Sequence, residues 1–229
     1  MKTYPIFANL TEKPCLVVGG GAVGERKVQD LRLAGAQVTV VSPRLSPTLA
    51  DLARAGKIRH RAEDFRPEHL DGMALVMAAT DDAEVNERVF AAARDRSIWV
   101  NVADAPELCT FIVPAMVRRG DLTVAISTGG ASPALARKLR EELQQHFGPE
   151  YVPYLELLKS LRERLLEERR GHPDNARLFH RLVDSPLLAA VARGDRAGIV
   201  KLLEEVLGNL LSPQVLGELV AQAFKEPQG

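Results

Sequence analysis

Apolar and polar positions follow two alternating rhythms through the first half of the chain. Short unbroken apolar runs are separated by longer stretches with apolar residues every three or four positions, a pattern that predicts strands alternating with helices. Cys15-Leu16-Val17-Val18 is a buried-strand run closed by Gly19-Gly20-Gly21. A helical pattern follows from Ala22 to Ala34, with Val23, Val28, Leu31 and Leu33 on or near one face and Gly35 as its stop. Gln37 to Val41 predicts a second strand, Ser46 to Ala55 a helix, and the neighbourhood of Ile58 a short strand. Leu75 to Ala79 and Ile98 to Val102 read as strands on either side of a helix over Ala83 to Arg94. Such strand–helix–strand repeats predict an α/β fold, a parallel sheet doubly wound with helices.

After about Ile112 the rhythm changes. Leu122 to Ser127 alternates like a strand, and Thr128 to Pro133 reads as a loop. Ser132 suits an N-cap and Pro133 the first helical position, predicting a helix to about His146, with Gly148-Pro149 as its break. From Glu150 to about Gly208 the pattern is helical and heavily charged, with breaks at Gly171-His172-Pro173 and Ser185-Pro186. Pro213 to Gly229 predicts one short helix with a frayed tail. Leu155, Leu158, Leu161, Leu165 and Leu166 make an apolar stripe at helical spacing, expected in a core or a dimer interface.

Composition narrows the class. Over 229 residues, 46% hydrophobic and 26% charged, the chain has the make-up of a folded soluble protein. Thirty Lys and Arg balance thirty Asp and Glu, so no basic excess is available for general nucleic-acid binding. No apolar run approaches the roughly 20 residues that span a bilayer, and the opening residues, with Pro5, do not resemble a secretory signal. Two cysteines, Cys15 and Cys109, outside any CxxC pair, point to a reduced, cytoplasmic protein with cysteines in its core.

Gly19-x-Gly21-x-x-Gly24 lies between a predicted strand and a predicted helix, the context that gives this spacing meaning. One glycine makes the tight turn, one admits a pyrophosphate to the backbone, and one lets helix and strand pack closely. The helix N-terminus then offers unsatisfied N–H groups to the phosphates. A dinucleotide site of this kind usually has an acidic residue at the end of the second strand, for the ribose hydroxyls. Here Val41 is followed by Ser42, which can hydrogen-bond a ribose, while Arg44 can meet a 2′-phosphate. Spacing alone leaves NAD and NADP both open.

Asn101 and Asp104 fall at the carboxyl end of the last predicted strand, where ligands bind in open α/β sheets. Asp104 can serve as a general base, although a turn Asp before Pro106 is the commoner meaning of that pattern. Cys109 has no nearby His to activate it as a nucleophile. His60, His69, His146, His172 and His180 show no metal-ligand spacing, so no metal site is expected.

Six ordered segments resemble the dehydrogenase module of siroheme synthases. They are Tyr4-Pro5-Ile6-Phe7, LVVGGGAVGERK from Leu16, AGAQVTVVSP from Ala34, AATDDAEVN from Ala78, NVADAPELCTF from Asn101 and VAISTGGASPALAR from Val124. The resemblance is strong over about residues 1 to 150 and covers the helical remainder in outline. The family comprises precorrin-2 dehydrogenases, some of which are also sirohydrochlorin ferrochelatases. It implies NAD as cofactor, a homodimer, and a Rossmann-like domain over 1–113. A small α/β dimerisation domain over 114–148 and a helical domain over 149–229 would follow.

Carried over motif by motif, the resemblance implies cofactor contacts at Gly19, Gly20, Gly21, Ala22, Val23 and Gly24, and further ones at Ser42, Pro43, Thr80 and Asn101. The catalytic aspartate falls on Asp104, with Asn101 beside it. Asn101, Thr128, Gly129, Gly130 and Arg137 are the expected substrate contacts, within a cationic group that includes Arg118, Arg119, Lys138 and Arg140. Where some members carry a run of serines, one of which can be phosphorylated, this chain has Ser127-Thr128-Gly129, which keeps a hydroxyl at Thr128. No methyltransferase module follows, so methylation is expected to belong to another protein.

The expected reaction is oxidation of precorrin-2, a tetrapyrrole with eight carboxylate arms, to sirohydrochlorin. Ferrous iron enters as a second substrate if the ferrochelatase activity is present, not as a resident metal. A non-enzymatic rival is an NAD-sensing regulatory module, against which Ser42 and the AISTGGASPALAR segment count. Short-chain dehydrogenases need Tyr-x-x-x-Lys, and Tyr151 and Tyr154 are followed four residues on by Leu155 and Leu158. A partner-binding scaffold built on the C-terminal helices is the remaining alternative.

Overall fold

The structure is a computed structural model and describes residues 3–225. These form two compact units that divide at Val113 and Pro114. In the first unit, β1 (Pro14–Val18), β2 (Gln37–Val41), β3 (Arg59–Arg61), β4 (Leu75–Ala78) and β5 (Trp99–Val102) make one parallel sheet in the order β3-β2-β1-β4-β5. Helices α1 (Ala22–Leu33), α2 (Pro47–Arg54) and α3 (Ala83–Asp95) are its crossovers. The chain leaves β1 for one edge and returns to the other side at β4, so the order reverses between β1 and β4. That reversal opens a crevice at the carboxyl ends of the two strands.

Both faces of β1 are covered, which is why its sequence is continuously apolar. Leu16 and Val18 pack with Val76, Ala78, Val100 and Val89 on one side. Cys15 and Val17 pack with Val28, Leu31, Val40 and Leu49 on the other. On α1 the buried stripe is Gly24, Val28 and Leu31, while Val23 and Leu33 are exposed, contrary to the expected face. At about 100° per residue, Val23 and Leu33 turn away from the i, i+4, i+7 stripe. The edge strand β3 carries exposed Arg59 and Arg61, charges that discourage edge-to-edge pairing.

In the second unit, β6 (Ala115–Arg119) and β7 (Leu122–Ile126) pair antiparallel, with Val117 opposite Val124. Gly120, at φ +56°, turns the hairpin. The helices are α4 (Pro133–His146), α5 (Tyr151–Arg169), α6 (Asn175–Asp184), α7 (Leu187–Ala192), α8 (Arg196–Leu207) and α9 (Pro213–Ala223). Ser132 caps α4 by accepting from Leu135 N–H at 3.2 Å. One apolar cluster joins α5 through α9, with Leu157, Leu161, Leu182, Leu187, Leu203 and Leu216 at its centre. The buried stripe of α5 is Tyr154, Leu157, Leu161 and Leu165, flanked by half-buried Leu155, Leu158 and Leu166. A further break, at Gly194 with φ +66°, separates α7 from α8. The last four residues of the expected frayed tail lie outside the described residues.

Candidate dinucleotide site

The crevice at the carboxyl edge of the sheet holds a cleft of about 510 Å³. The turn from β1 to α1 forms its floor, with Gly19, Gly20, Gly21, Ala22 and Val23 in the wall. The glycines differ in what they do. Gly19 sits at φ +113°, and a Cβ there would lie 2.3 Å from the Ala79 carbonyl oxygen. At Gly24 it would lie 2.2 Å from the Gly19 carbonyl oxygen, and at Gly20 it would lie 2.1 Å from that of Arg44. These three are close backbone approaches that no other residue permits. Gly21 has nothing within 4 Å of its virtual Cβ. Its freedom is space in front of a helix N-terminus, which is where a pyrophosphate binds.

Gly21 is also the N-cap of α1 and supplies no side-chain hydrogen bond. The first-turn N–H groups of a helix have no intrahelical acceptor, so those of Ala22, Val23 and Gly24 are donors for an anion. The residues therefore fit a dinucleotide.

Around this floor the wall is built from the ends of neighbouring strands. Ser42 and Pro43 follow β2, and the Ser42 hydroxyl donates to the Arg44 carbonyl oxygen at 2.7 Å. Ser42 N–H donates to the Arg61 carbonyl oxygen at 3.2 Å, and the Ser42 carbonyl meets His60 Nε2 at 2.9 Å. These bonds tie the end of β2 to that of β3. The turn after β3 then brings Glu63, Asp64 and Phe65 to the cleft. Past β4 come Ala79, Thr80, Asp81, Asp82 and Val85. Thr80 Oγ1 lies 3.0 Å from both the Asp82 carbonyl oxygen and Asn86 Oδ1, alternative acceptors for its one proton within its own turn. Asp82 caps α3 by accepting from Glu84 and Val85 N–H at 2.9 and 3.1 Å.

Four carboxylates stand in this wall and none of its lining residues is Lys or Arg. Arg44, one of the two sequence candidates for reading the ribose, is exposed and outside the lining. Glu63 is heavily compensated: it pairs with Arg66, lies 3.8 Å from Arg61, and accepts from His69 Nε2 at 3.2 Å. His69 Nδ1 accepts from Arg66 N–H at 3.0 Å, which puts the ring proton on Nε2. Desolvation raises the Glu63 carboxyl, but the His69 hydrogen bond and the nearby Arg66 and Arg61 charges outweigh it, and the group lies below its ordinary range.

Asn101 and Asp104 are not in the wall of this cleft. Asp104 is exposed at the carboxyl end of β5 in a left-handed conformation, φ +58°. Such a backbone is sparsely populated outside glycine and persists where the surroundings enforce it. Cys109 supplies part of that constraint. Its sulfur accepts from Val102 N–H at 3.2 Å and donates to the Ala105 carbonyl at 3.3 Å, bridging the Asp104 turn. Burial pushes the Cys109 thiol up, and burial alone lifts that of Cys15 to about 11. Neither is a ready nucleophile. Asn101 is buried, and its Nδ2 donates to the Phe111 carbonyl at 3.1 Å. Its bonds thus run to the crossover behind β5, and no bond to Asp104 is among them. Half-buried Lys27 has a lowered ammonium value, through desolvation and the Arg26 charge, opposed by Asp30, Cys109 and Asp104.

In the second unit, Thr128 Oγ1 accepts from Ser132 N–H at 3.2 Å and donates to the Ser132 carbonyl at 3.1 Å. Gly129 and Gly130 are exposed at positive φ, +62° and +89°. Arg137 pairs with Glu141 at 3.0 Å, and Lys138 with Glu142 at 3.7 Å. Arg119 reaches the Phe147 and Gln144 carbonyls at 2.9 and 3.1 Å, closing the C-terminal end of α4. Among the described residues, no three His, Cys, Asp or Glu side chains gather as a metal site. Nor is any described helix long and apolar enough to cross a membrane.

Sequence reasoning missed Glu63, Asp64, Phe65, Asp81, Asp82 and Val85 as wall residues. Their one local signal is position just past a strand on the carboxyl side of the sheet.

Strand order 3-2-1-4-5 with a glycine cradle at its reversal defines a dinucleotide-binding α/β protein. Residues 6–115 match the NAD(P)-binding family model, and residues 119–146 match that of the sirohaem biosynthesis protein central region. Over most of its length the chain is similar to siroheme synthases. It is 59% identical over 144 residues, 63% of this chain and 31% of the relative, to a siroheme synthase of Methylobacillus flagellatus. To the siroheme synthase of Nitrosomonas europaea it is 41% identical over 96% of this chain and 46% of that protein. The chain spans less than half the length of these curated relatives. A solved structure, of the precorrin-2 dehydrogenase SirC, superposes with TM-score 0.72 at 26% identity, covering 89% of this chain and 98% of that one.

Proposed function

We propose that the chain is an NAD-dependent dehydrogenase that oxidises precorrin-2 to sirohydrochlorin in siroheme biosynthesis. The observation that carries the reading is the cradle at Gly21, open in front of the α1 N-terminus at the reversal of the sheet. The similarity to siroheme synthases and to a precorrin-2 dehydrogenase structure supports precorrin-2 as the substrate.

In this reading the N–H groups of Ala22, Val23 and Gly24 hold the pyrophosphate, and Ser42 and Pro43 flank the adenosine half. Thr80, bonded within its own turn, shapes the opposite wall. Bound there, NAD would supply an acceptor for a hydride, two electrons and one proton, from the reduced ring. Asp104 takes the second proton, so that precorrin-2 and NAD+ give sirohydrochlorin, NADH and H+. Exposure of Asp104 beside the sheet's carboxyl edge and its enforced left-handed backbone support that role. Asn101 steadies the end of β5 through Phe111. Thr128, Gly129, Gly130 and Arg137 are assigned to the substrate's carboxylate arms, for which a bidentate guanidinium is well suited.

The same reading assigns 1–113 to the dinucleotide, 114–148 to pairing of two copies, and 149–229 to a helical domain. It places the protein in the cytoplasm, in keeping with two free cysteines. Ferrous iron is assigned as a substrate for insertion into the product, with Asp104 accepting pyrrole protons.

The test is an anaerobic, metal-free mixture of the protein, precorrin-2 and NAD+, followed by NADH absorbance and the tetrapyrrole spectrum. Joint growth of NADH and sirohydrochlorin is the expected result. Dinucleotide binding without turnover would replace the enzyme with the sensing module. Ferrous iron added to the product then tests insertion separately.

A further inference from the structure

The usual ribose acid at the end of β2 is replaced by Ser42, yet the cleft is not short of carboxylates. The turn after β3 is bonded to Ser42 through Arg61, so Glu63 and Asp64 stand on the flank of the cleft that adjoins the β2 end. Glu63 is neutralised by Arg66, Arg61 and the His69 hydrogen bond. Asp64 is exposed and has no ion pair among the described residues. We infer that Asp64, on the neighbouring strand's turn, does the work of the missing β2 acid, accepting from the ribose hydroxyls and excluding a 2′-phosphate, so that this cleft selects NAD over NADP.

This assignment rests on the dinucleotide reading above and deepens it. A carboxylate beside a dianionic phosphate is repelled, and a carboxylate that accepts from ribose hydroxyls occupies the place such a phosphate would need. No cation in the wall offsets that repulsion, since Arg44 is outside the lining and Arg61 serves Glu63. The alternative discriminator is Ser42 itself. Its hydroxyl proton is spent on the Arg44 carbonyl, and a neutral lone pair does not repel phosphate.

The experiment titrates the full chain with NADH and with NADPH, following nucleotide fluorescence, for the parent, Asp64→Asn and Asp64→Arg. The parent should prefer NADH. Asp64→Asn should shrink the preference about tenfold, and Asp64→Arg should shrink it further, mainly by tightening NADPH. Asp64 is exposed, so both variants should fold, which their thermal unfolding will verify. A parent that prefers NADH with the ratio unchanged in both variants overturns this assignment while leaving the dinucleotide reading intact. A parent that binds NADPH as well as NADH also overturns it. A parent that binds neither overturns the dinucleotide reading, and this inference with it.

Discussion

In the unit that ends at Val113, buried side chains lie on both faces of one sheet, and polar groups collect along a single edge of it. In the unit that begins at Pro114, one apolar cluster joins five helices, and leucine dominates its buried centre. The first is a scaffold whose strand ends converge on a cleft, because parallel strands all point their carboxyl ends the same way. The second buries apolar surface between helices that carry no such set of aligned strand ends. Stability and binding should therefore be separable by mutation in this protein, and by position within the glycine turn itself.

Gly19→Ala is the most damaging change expected. A left-handed backbone and a Cβ 2.3 Å from a carbonyl oxygen cannot be relieved by a rotamer. The loss should be about 4 kcal/mol or more, visible as a collapse of the unfolding midpoint together with dinucleotide binding. Leu161→Ala, in the helical cluster, should cost about 2–5 kcal/mol by leaving a cavity at a fully buried position. Its dinucleotide affinity should equal that of the parent; a parallel loss of affinity would break the separation drawn above.

Gly21→Ala sharpens the comparison most. Open space and an ordinary φ of −84° mean the methyl group strains nothing. Stability should change by less than about 1 kcal/mol, while dinucleotide affinity should fall about tenfold or more as the methyl meets the pyrophosphate. Unchanged affinity would show that the phosphates lie elsewhere.

The smallest effect concerns Cys15 in the sheet core. Its thiol is raised from the ordinary 9.0 to about 11, so the folded chain holds a proton that the unfolded chain releases first. The contribution is complete below the unfolded value and is lost as pH climbs through the folded one. Unfolding midpoints should decline between pH 9 and about 11, less steeply in Cys15→Ala.

Much of the first unit was legible because its signals are local. The apolar runs of β1, β2, β4 and β5 and the stop at Gly35 each act within a few residues, as does the Ser132 cap in the second unit. Val23 and Leu33 depart from the expected face because, at about 100° per residue, neither shares the stripe of Gly24, Val28 and Leu31. Strand β6 escaped notice because Ala115 to Arg119 is too short and too charged to signal on its own. The Gly120-Asp121 step before β7 was the available clue to a hairpin.

By itself, then, the sequence determined the α/β class, the place of the glycine cradle, and the turn that carries Asp104. Periodicity, caps and glycine spacing are properties of neighbouring residues, and no other part of the chain is needed to read them. Only the tertiary structure decided that Glu63 and Asp64 wall the same cleft as Gly21, that Arg44 stays out of it, and that Asn101 binds the Phe111 carbonyl while Cys109 binds Val102 of β5. Those facts depend on which strands lie side by side. Hydrogen bonding between distant segments sets that order, and it leaves no trace in the spacing of any one of them.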